Sequence, residues 1–289
     1  ESDRPLRGGL GWLHVLAPGV SLHPRALTDE PPVRTGPELA EPERLDAVLG
    51  ALFSHPVLAL ADRHRRKLLR RGLDPEAVRA NGYATLPGQR RSEAVRDVRA
   101  RFETEGVPGV FYSNRGRGSG YWTLAGAQGL LIPVRDAEGR IRGAQVRPDG
   151  ATSEGGKYRW VSSSGREGGT GSGTPLHWTL AGDREGPLWL TEGPLKGDVA
   201  AALSGYRFLA FAGTHSGQGR RLVGELERAG HPLARPLVLA VDADWRENKD
   251  VRRGFAAIAR ALDRAGYRVL VATWSPEFGK GIDDALANG

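Results

Sequence analysis

Apolar and polar positions follow two regimes along this chain. From Leu45 to about Arg71 the residues Leu45, Val48, Leu49, Leu52, Leu58, Leu60, Leu68 and Leu69 recur at helical spacing and predict two helices broken near Pro56. The run over 71–83 predicts a short third helix, with Asp74 as N-cap, Pro75 at the first helical position and Asn81-Gly82 at its close. Residues 92–105 read as another helix, and 114–120, rich in Gly and Arg, as a flexible basic linker. The pattern then turns to strands. Two runs, 130–135 and 141–147, joined by Asp136-Ala-Glu-Gly139, predict a hairpin. A further strand is expected over 155–161 and a Gly/Ser/Thr loop over 165–173.

After Gly186 short apolar runs at 187–191, 207–212, 237–241 and 267–273 alternate with amphipathic helices at 195–203, 218–229 and 250–265. Such alternation specifies a parallel sheet covered by helices, whose ligands sit at the carboxyl ends of the strands. The first 43 residues, rich in Pro and Gly and without a sustained period, read as an extended arm. The expected organisation is an arm and helical lead-in over 1–60, a basic α+β subdomain over 61–185 and an α/β domain over 186–289.

Composition narrows the chemistry. The 289 residues contain no cysteine, which excludes disulfides, thiolate zinc sites, iron–sulfur clusters and cysteine nucleophiles. The seven histidines form no close metal-binding pair. Apolar runs such as 237–241 fall far short of the roughly 20 residues that span a bilayer. No secretory leader is visible, so no membrane partner and a cytoplasmic location are expected. Lys and Arg outnumber Asp and Glu 41 to 34, for a net charge of +7. Between Arg63 and Arg101 twelve basic residues face four acidic ones. A basic zone on a nearly neutral remainder is the footprint of a polyphosphate partner.

Carboxylates gather where the parallel sheet predicts its ligand. The first strand of that sheet runs into Thr191-Glu192-Gly193, the third into Val241-Asp242-Ala243-Asp244, and the fourth is followed by Lys280-Gly-Ile-Asp283-Asp284. Asp242 and Asp244, two apart, emerge on one face of an extended segment and can share a hard cation. Several carboxylates without His or Cys point to Mg²⁺ or Mn²⁺ and to phosphoryl-transfer chemistry. Lys196, Lys249 and Lys280 lie near these acids in the sequence.

Glu192-Gly193, Gly213-Thr214, the Asp242-x-Asp244 pair and the late acidic pair together resemble the Toprim pattern of DnaG-type primases, topoisomerases and certain nucleases. The hairpin with Ile132-Pro-Val-Arg135-Asp, followed by Lys157-Tyr158, resembles the stretch upstream of that domain in primases, and 71–87 resembles the helical opening of their catalytic core. TEGPLKGDV and KGIDDAL look most like Toprim primase-like proteins of plasmids, phages and other mobile elements. The similarity covers roughly 60–289.

The resemblance implies an α/β Toprim fold, with a central mostly parallel sheet flanked by helices, preceded by a smaller α+β primase-type subdomain. It implies a DNA-dependent primase, a nucleotidyltransferase that makes short primers on single-stranded DNA by attack of a 3′-hydroxyl on a nucleoside triphosphate. Glu192 would ligate metal or act as general base, and Asp242 and Asp244 would hold Mg²⁺ or Mn²⁺, with Asp283 and Asp284 from the last motif. Arg135, Arg147 and Lys157 would line the nucleotide and template groove, and Lys196 and Lys280 would contact phosphates. A helicase and a separate zinc-binding module are the further partners it implies.

The chain departs from the primase pattern at three places, one of them Trp245-Arg-Glu-Asn-Lys249 after Asp244, which differs from the compact Gly-rich turn of those enzymes. Lys196 stands where a carboxylate usually follows the Glu-Gly pair, and Gly281-Ile282 replaces an Asp-Pro element. Two alternatives therefore stand beside primase: a Toprim nuclease, and a non-catalytic, metal-dependent module that binds single-stranded DNA. A topoisomerase would need a positioned tyrosine and strand-gating domains too large for this length.

Overall fold

The computed structural model describes residues 36–114, 119–150, 157–214 and 217–289, with the backbone of two short strands in the arm, β1 (Arg4–Pro5) and β2 (Trp12–Val15). The arm's other residues up to 35 lie outside the described set, as do 115–118 of the expected linker.

Helix α1 (Pro42–Phe53) buries Leu45, Val48, Leu49, Leu52 and Phe53, spaced three and four apart on one face. A 3-10 turn at Pro56–Leu58 separates it from α2 (Asp62–Arg70), where Pro56 breaks the pattern as its missing N–H requires. Helix α3 (Pro75–Asn81) starts with Asp74 Oδ1 accepting from Ala77 N at 2.7 Å and ends at Gly82, whose φ of 69° makes the left-handed cap. Strand β3 (Ala84–Leu86) and helix α4 (Arg91–Arg99) follow. The helix expected over 92–105 is thus shorter than its pattern.

Segment 114–120 connects two paired strands. It joins β4 (Val110–Ser113) to β5 (Tyr121–Leu124), an antiparallel ribbon in which Tyr112 faces Trp122 and Ser113 faces Tyr121. The flanking runs VFYS and YWTL are short and aromatic, and they carry the β signal that the Gly/Arg run between them conceals.

The hairpin is β6 (Gly129–Arg135) and β7 (Ile141–Pro148), with a bulge at Val134/Arg135. With β3 on one side and β8 (Arg159–Trp160) on the other it makes an antiparallel sheet in the order β3-β6-β7-β8. Helices α1 and α4 cover one face of this sheet, and Leu49, Leu52, Val95, Leu131 and Val146 pack between them.

The second sheet is built on four parallel strands: β10 (Leu188–Glu192), β11 (Phe208–Phe211), β12 (Leu237–Ala240) and β13 (Val269–Thr273). Strand β9 (His177–Trp178) is an antiparallel edge, and the arm's β1 and β2 extend the other side, giving the order β1-β2-β13-β12-β10-β11-β9. Helices α5 (Pro194–Ser204), α6 (Gln218–Arg228) and α7 (Lys249–Arg264) make the crossovers, and α8 (Ile282–Asn288) closes the chain. No described helix is long and apolar enough to cross a membrane.

Helix α5 joins the two halves. Its Leu195 and Val199 pack with Leu68, Leu73, Val78, Tyr83, Leu130 and Ile132 of the first half. Between these contacts sits buried Asp198. Its Oδ2 accepts from the Tyr83 hydroxyl at 2.6 Å, and its Oδ1 lies 2.9 Å from His177 Nε2. The Arg135 N–H donates to His177 Nδ1 at 3.0 Å, so the ring proton is on Nε2 and points at Asp198. Burial first, and then Asp198, push the Tyr83 phenol well above its ordinary range, which keeps it a donor.

Replacing Tyr83 by Phe leaves one buried Asp198 oxygen without its donor. The expected cost is about 1.5–3 kcal/mol, the worth of a hydrogen bond to a charged group. A urea midpoint that falls with an unchanged slope would show it; an unchanged midpoint would mean that the bond contributes nothing to the junction.

Candidate active site

The backbone sets the acid cluster before any side chain is considered. Strand β10 ends at Glu192, and the chain turns at once into α5 through Gly193, whose φ of 95° belongs to glycine and whose N–H donates to Phe211 O at 2.7 Å. Strand β12 ends at Ala240, and Asp242 follows two residues on. The Ala243 N–H donates to Lys280 O at 2.9 Å, which ties this turn to the loop before α8. Three separate carboxyl ends of the sheet therefore meet at one place.

Asp242 and Asp244 do not project from one extended face. Ala243–Arg246 is a 3-10 turn, which rotates the two side chains apart and gives each its own cation. Lys196, in the first turn of α5, forms an ion pair with Asp242, and both side chains are largely buried. Lys280 Nζ lies 2.7 Å from Asp244 Oδ2, with its side chain 62% exposed. Asp244 Oδ1 is buried and without a partner.

Burial is the main force that raises the Glu192 carboxyl above its ordinary range. Lys196 and Lys280 act against it, and Asp242 and Asp244 add to it. Lys280 is held above its own ordinary range, chiefly by its bond to Asp244.

The two aspartates of the last motif each have a partner within the protein. Asp283 is 3% exposed and forms an ion pair with Arg71, at the C-terminal end of α2. Its other oxygen, Oδ1, is buried without a partner. Asp284 Oδ2 accepts from Gly281 N at 3.3 Å, which closes the start of α8.

Of the expected basic residues, Arg135 is spent on structure. Its guanidinium donates to Gly139 O at 2.8 Å and Asn81 O at 3.1 Å, bracing the hairpin turn against α3. Arg147 lies over the Tyr158 ring at 5.7 Å, and Lys157 is exposed. Arg71 also donates to the Tyr158 hydroxyl at 3.3 Å. Arg147, Tyr158, Arg71 and Asp283 thus form a line of contacts from the β6–β7 sheet to the first turn of α8. Lys67 belongs to the same face: burial, followed by Arg147, Arg71 and Arg70, lowers its ammonium below the ordinary range. Lys67, Arg70 and Arg71 escaped individual notice in the sequence. Their spacing of i, i+3 and i+4 was the available signal, because it puts three cations on one helical stripe.

The donors fit a hard divalent cation in kind. All are carboxylate oxygens, and Asp244 Oδ1 is an orphaned acceptor. In this conformation, however, no three His, Asp or Glu side chains among the described residues stand close enough to hold a metal ion. Ammonium groups stand among them instead.

The primase catalytic domain from Aquifex aeolicus, solved with its zinc-binding domain, superposes with a TM-score of 0.61 at 15% identity, over 86% of this chain and 59% of that one. The chain has the fold of a DnaG-type primase catalytic core. The Escherichia coli primase catalytic core matches at 19% identity and a TM-score of 0.53, over 85% of this chain and 75% of that one. A DnaG catalytic domain bound to single-stranded DNA matches at 18% and 0.54, over 83% and 73%. The chain also matches, over residues 177–289, the model of a domain of unknown function, DUF3854. No curated protein matches it. The α/β fold with a preceding smaller subdomain, expected from the motifs, is the one observed.

The raised Glu192 carboxyl has a consequence for stability. A carboxyl whose pKa is higher in the folded state binds more protons folded than unfolded, so stability falls as pH rises from the ordinary carboxylate range through the folded value. In the presence of a chelator, Glu192→Gln is therefore expected to be more stable than the wild type at pH 7, with the gain vanishing below the ordinary carboxylate range. Urea melts at pH 7 and pH 4 test this. A variant less stable at pH 7 would show that ionised Glu192 is favourably paired.

Proposed function

We propose that this chain is a DNA-dependent primase core. The observation that carries the reading is the convergence of Glu192, Asp242 and Asp244 at the carboxyl ends of parallel strands, beside the basic line of Arg147 and Arg71, in a chain with a primase fold. In this reading residues 61–185 form the basic subdomain and 186–289 the Toprim domain, with 1–60 as arm and lead-in, and the edge strand β9 of the first range joins the second domain's sheet.

Glu192, Asp242 and Asp244 would hold Mg²⁺ or Mn²⁺, which when bound polarises the α-phosphate and screens its charge. The remaining work falls to the chain itself. Lys67, Arg70, Arg147 and Lys157 offer cations to the phosphates of a single-stranded template. Lys196 and Lys280 lie where the triphosphate charge must be met. Glu192, its carboxyl raised by burial, is suited to take the proton from the attacking 3′-hydroxyl. Release of pyrophosphate completes the exchange, and catalysis is mainly orientation and charge stabilisation. A helicase and a separate zinc-binding module are the partners such a core would serve, in the cytoplasm and on a mobile element.

The pairing of both aspartates with lysines favours a second reading, a module that binds single-stranded DNA without turnover. A nuclease using the same acids is the third, and it has no observation of its own in its favour.

The decisive assay combines single-stranded DNA, Mg²⁺ or Mn²⁺ and labelled nucleoside triphosphates, beside an Asp242→Ala/Asp244→Ala control. Short labelled products are expected from the wild type, and at least a hundredfold less from the control. Bound, unchanged DNA in both would support the binding module, and shortened DNA the nuclease.

A further inference from the structure

The acid cluster is already nearly neutral before any metal arrives. Three carboxylates, Glu192, Asp242 and Asp244, are met by two ammonium groups, and each aspartate has a lysine to itself. The two lysines come from different segments. Lys196 is fixed in the first turn of α5, and Lys280 lies in the loop whose carbonyl holds the Asp242–Asp244 turn. The Lys196 nest depends on a missing side chain: a Cβ at Gly281 would lie 2.9 Å from its Cε and 3.2 Å from its Nζ.

A divalent cation seated among the three carboxylates with both ammoniums in place would turn a net −1 cluster into +1, with like charges at contact distance. The ammoniums must therefore leave as the cation enters. Their flexible four-carbon stems allow it, and an anionic triphosphate beside the site would receive them.

We propose that Lys196 and Lys280 are exchangeable counter-ions that keep the acid cluster closed to divalent cations until a polyphosphate draws them away. The inference rests on the reading of Glu192, Asp242 and Asp244 as a cation site. It assigns the two lysines different weights. Lys196 is largely enclosed with its aspartate and is the tighter closure; Lys280, 62% exposed, is the looser one. It also gives a physical meaning to a lysine where primases carry an acid: the position controls entry of the metal instead of ligating it.

The test uses Mn²⁺ alone, with free ion counted by its paramagnetic resonance signal, on the full chain without nucleotide. The wild type is expected to bind weakly. Lys196→Met should bind at least tenfold tighter, Lys280→Met should gain less, and Asp242→Asn/Asp244→Asn should lose binding. Lys196→Met leaves Asp242 unpaired, so Mn²⁺ should also raise its melting temperature more than that of the wild type. Lys196→Gln, which keeps a donor, serves if the Met variant does not fold. If Lys196→Met and Lys196→Gln bind Mn²⁺ no tighter than the wild type while the aspartate variant loses binding, the cation reading stands and the closure is overturned. If no protein binds Mn²⁺, the cation reading itself falls and the closure with it.

Discussion

One helix with almost no free side positions everything at the acid cluster. Pro194, Leu195, Gly197, Asp198, Val199, Ala200 and Ala201 of α5 are all buried, which for a helix means that it is packed on several sides at once. It lies against β10 and β11, against α8 and against the β6–β7 hairpin. Because those four surfaces cannot all be satisfied by a displaced helix, its first turn is fixed, and with it Gly193 and Lys196. Asp198 adds direction to this packing. Its two oxygens are committed to Tyr83 on one half and His177 on the other, so the halves meet in one register.

Charge organises what packing has placed. The line from Arg147 over Tyr158 to Arg71 and Asp283 alternates cation and ring, then cation and anion, and ends in the first turn of α8. Each buried charge on this line has a neighbour of opposite sign or a ring face, as burial demands. The first half is thereby tied by charge to the first turn of α8. Removing Arg71 would expose Asp283, a 3% accessible carboxylate, to the full cost of burial without a partner.

The parallel domain was legible in the sequence because each of its parts carries a local signal. Leu237–Ala240 is continuously apolar, as a strand covered on both faces must be, and Lys249–Arg264 shows a helical stripe in Phe255, Ile258, Ala259 and Leu262. The order of acids after strands followed from that. What stayed hidden depends on contacts that no local pattern encodes. Arg71 reaches Asp283 across most of the chain, and Lys196 finds Asp242 only after two crossovers. The extended form expected for Asp242–Asp244 failed because the tie from Ala243 to Lys280 O bends that segment into a 3-10 turn. The β4–β5 ribbon was missed because its strands have four residues each, too few for alternation to rise above noise.

The arm's strand β2 pairs with β13, joining Trp12 to Thr273 and Val15 to Leu270. The arm is synthesised well before its partner strand, with the other strands of this sheet between them. The sheet's flank can therefore be sealed only when β13 has emerged and docked, which makes this the most non-local strand pairing among the described residues. Until then the β13 edge offers free backbone groups to any passing strand. Conditions that slow the final stage of folding would thus be expected to promote exchange of arms between neighbouring molecules, with the sheet completed by another chain's strand.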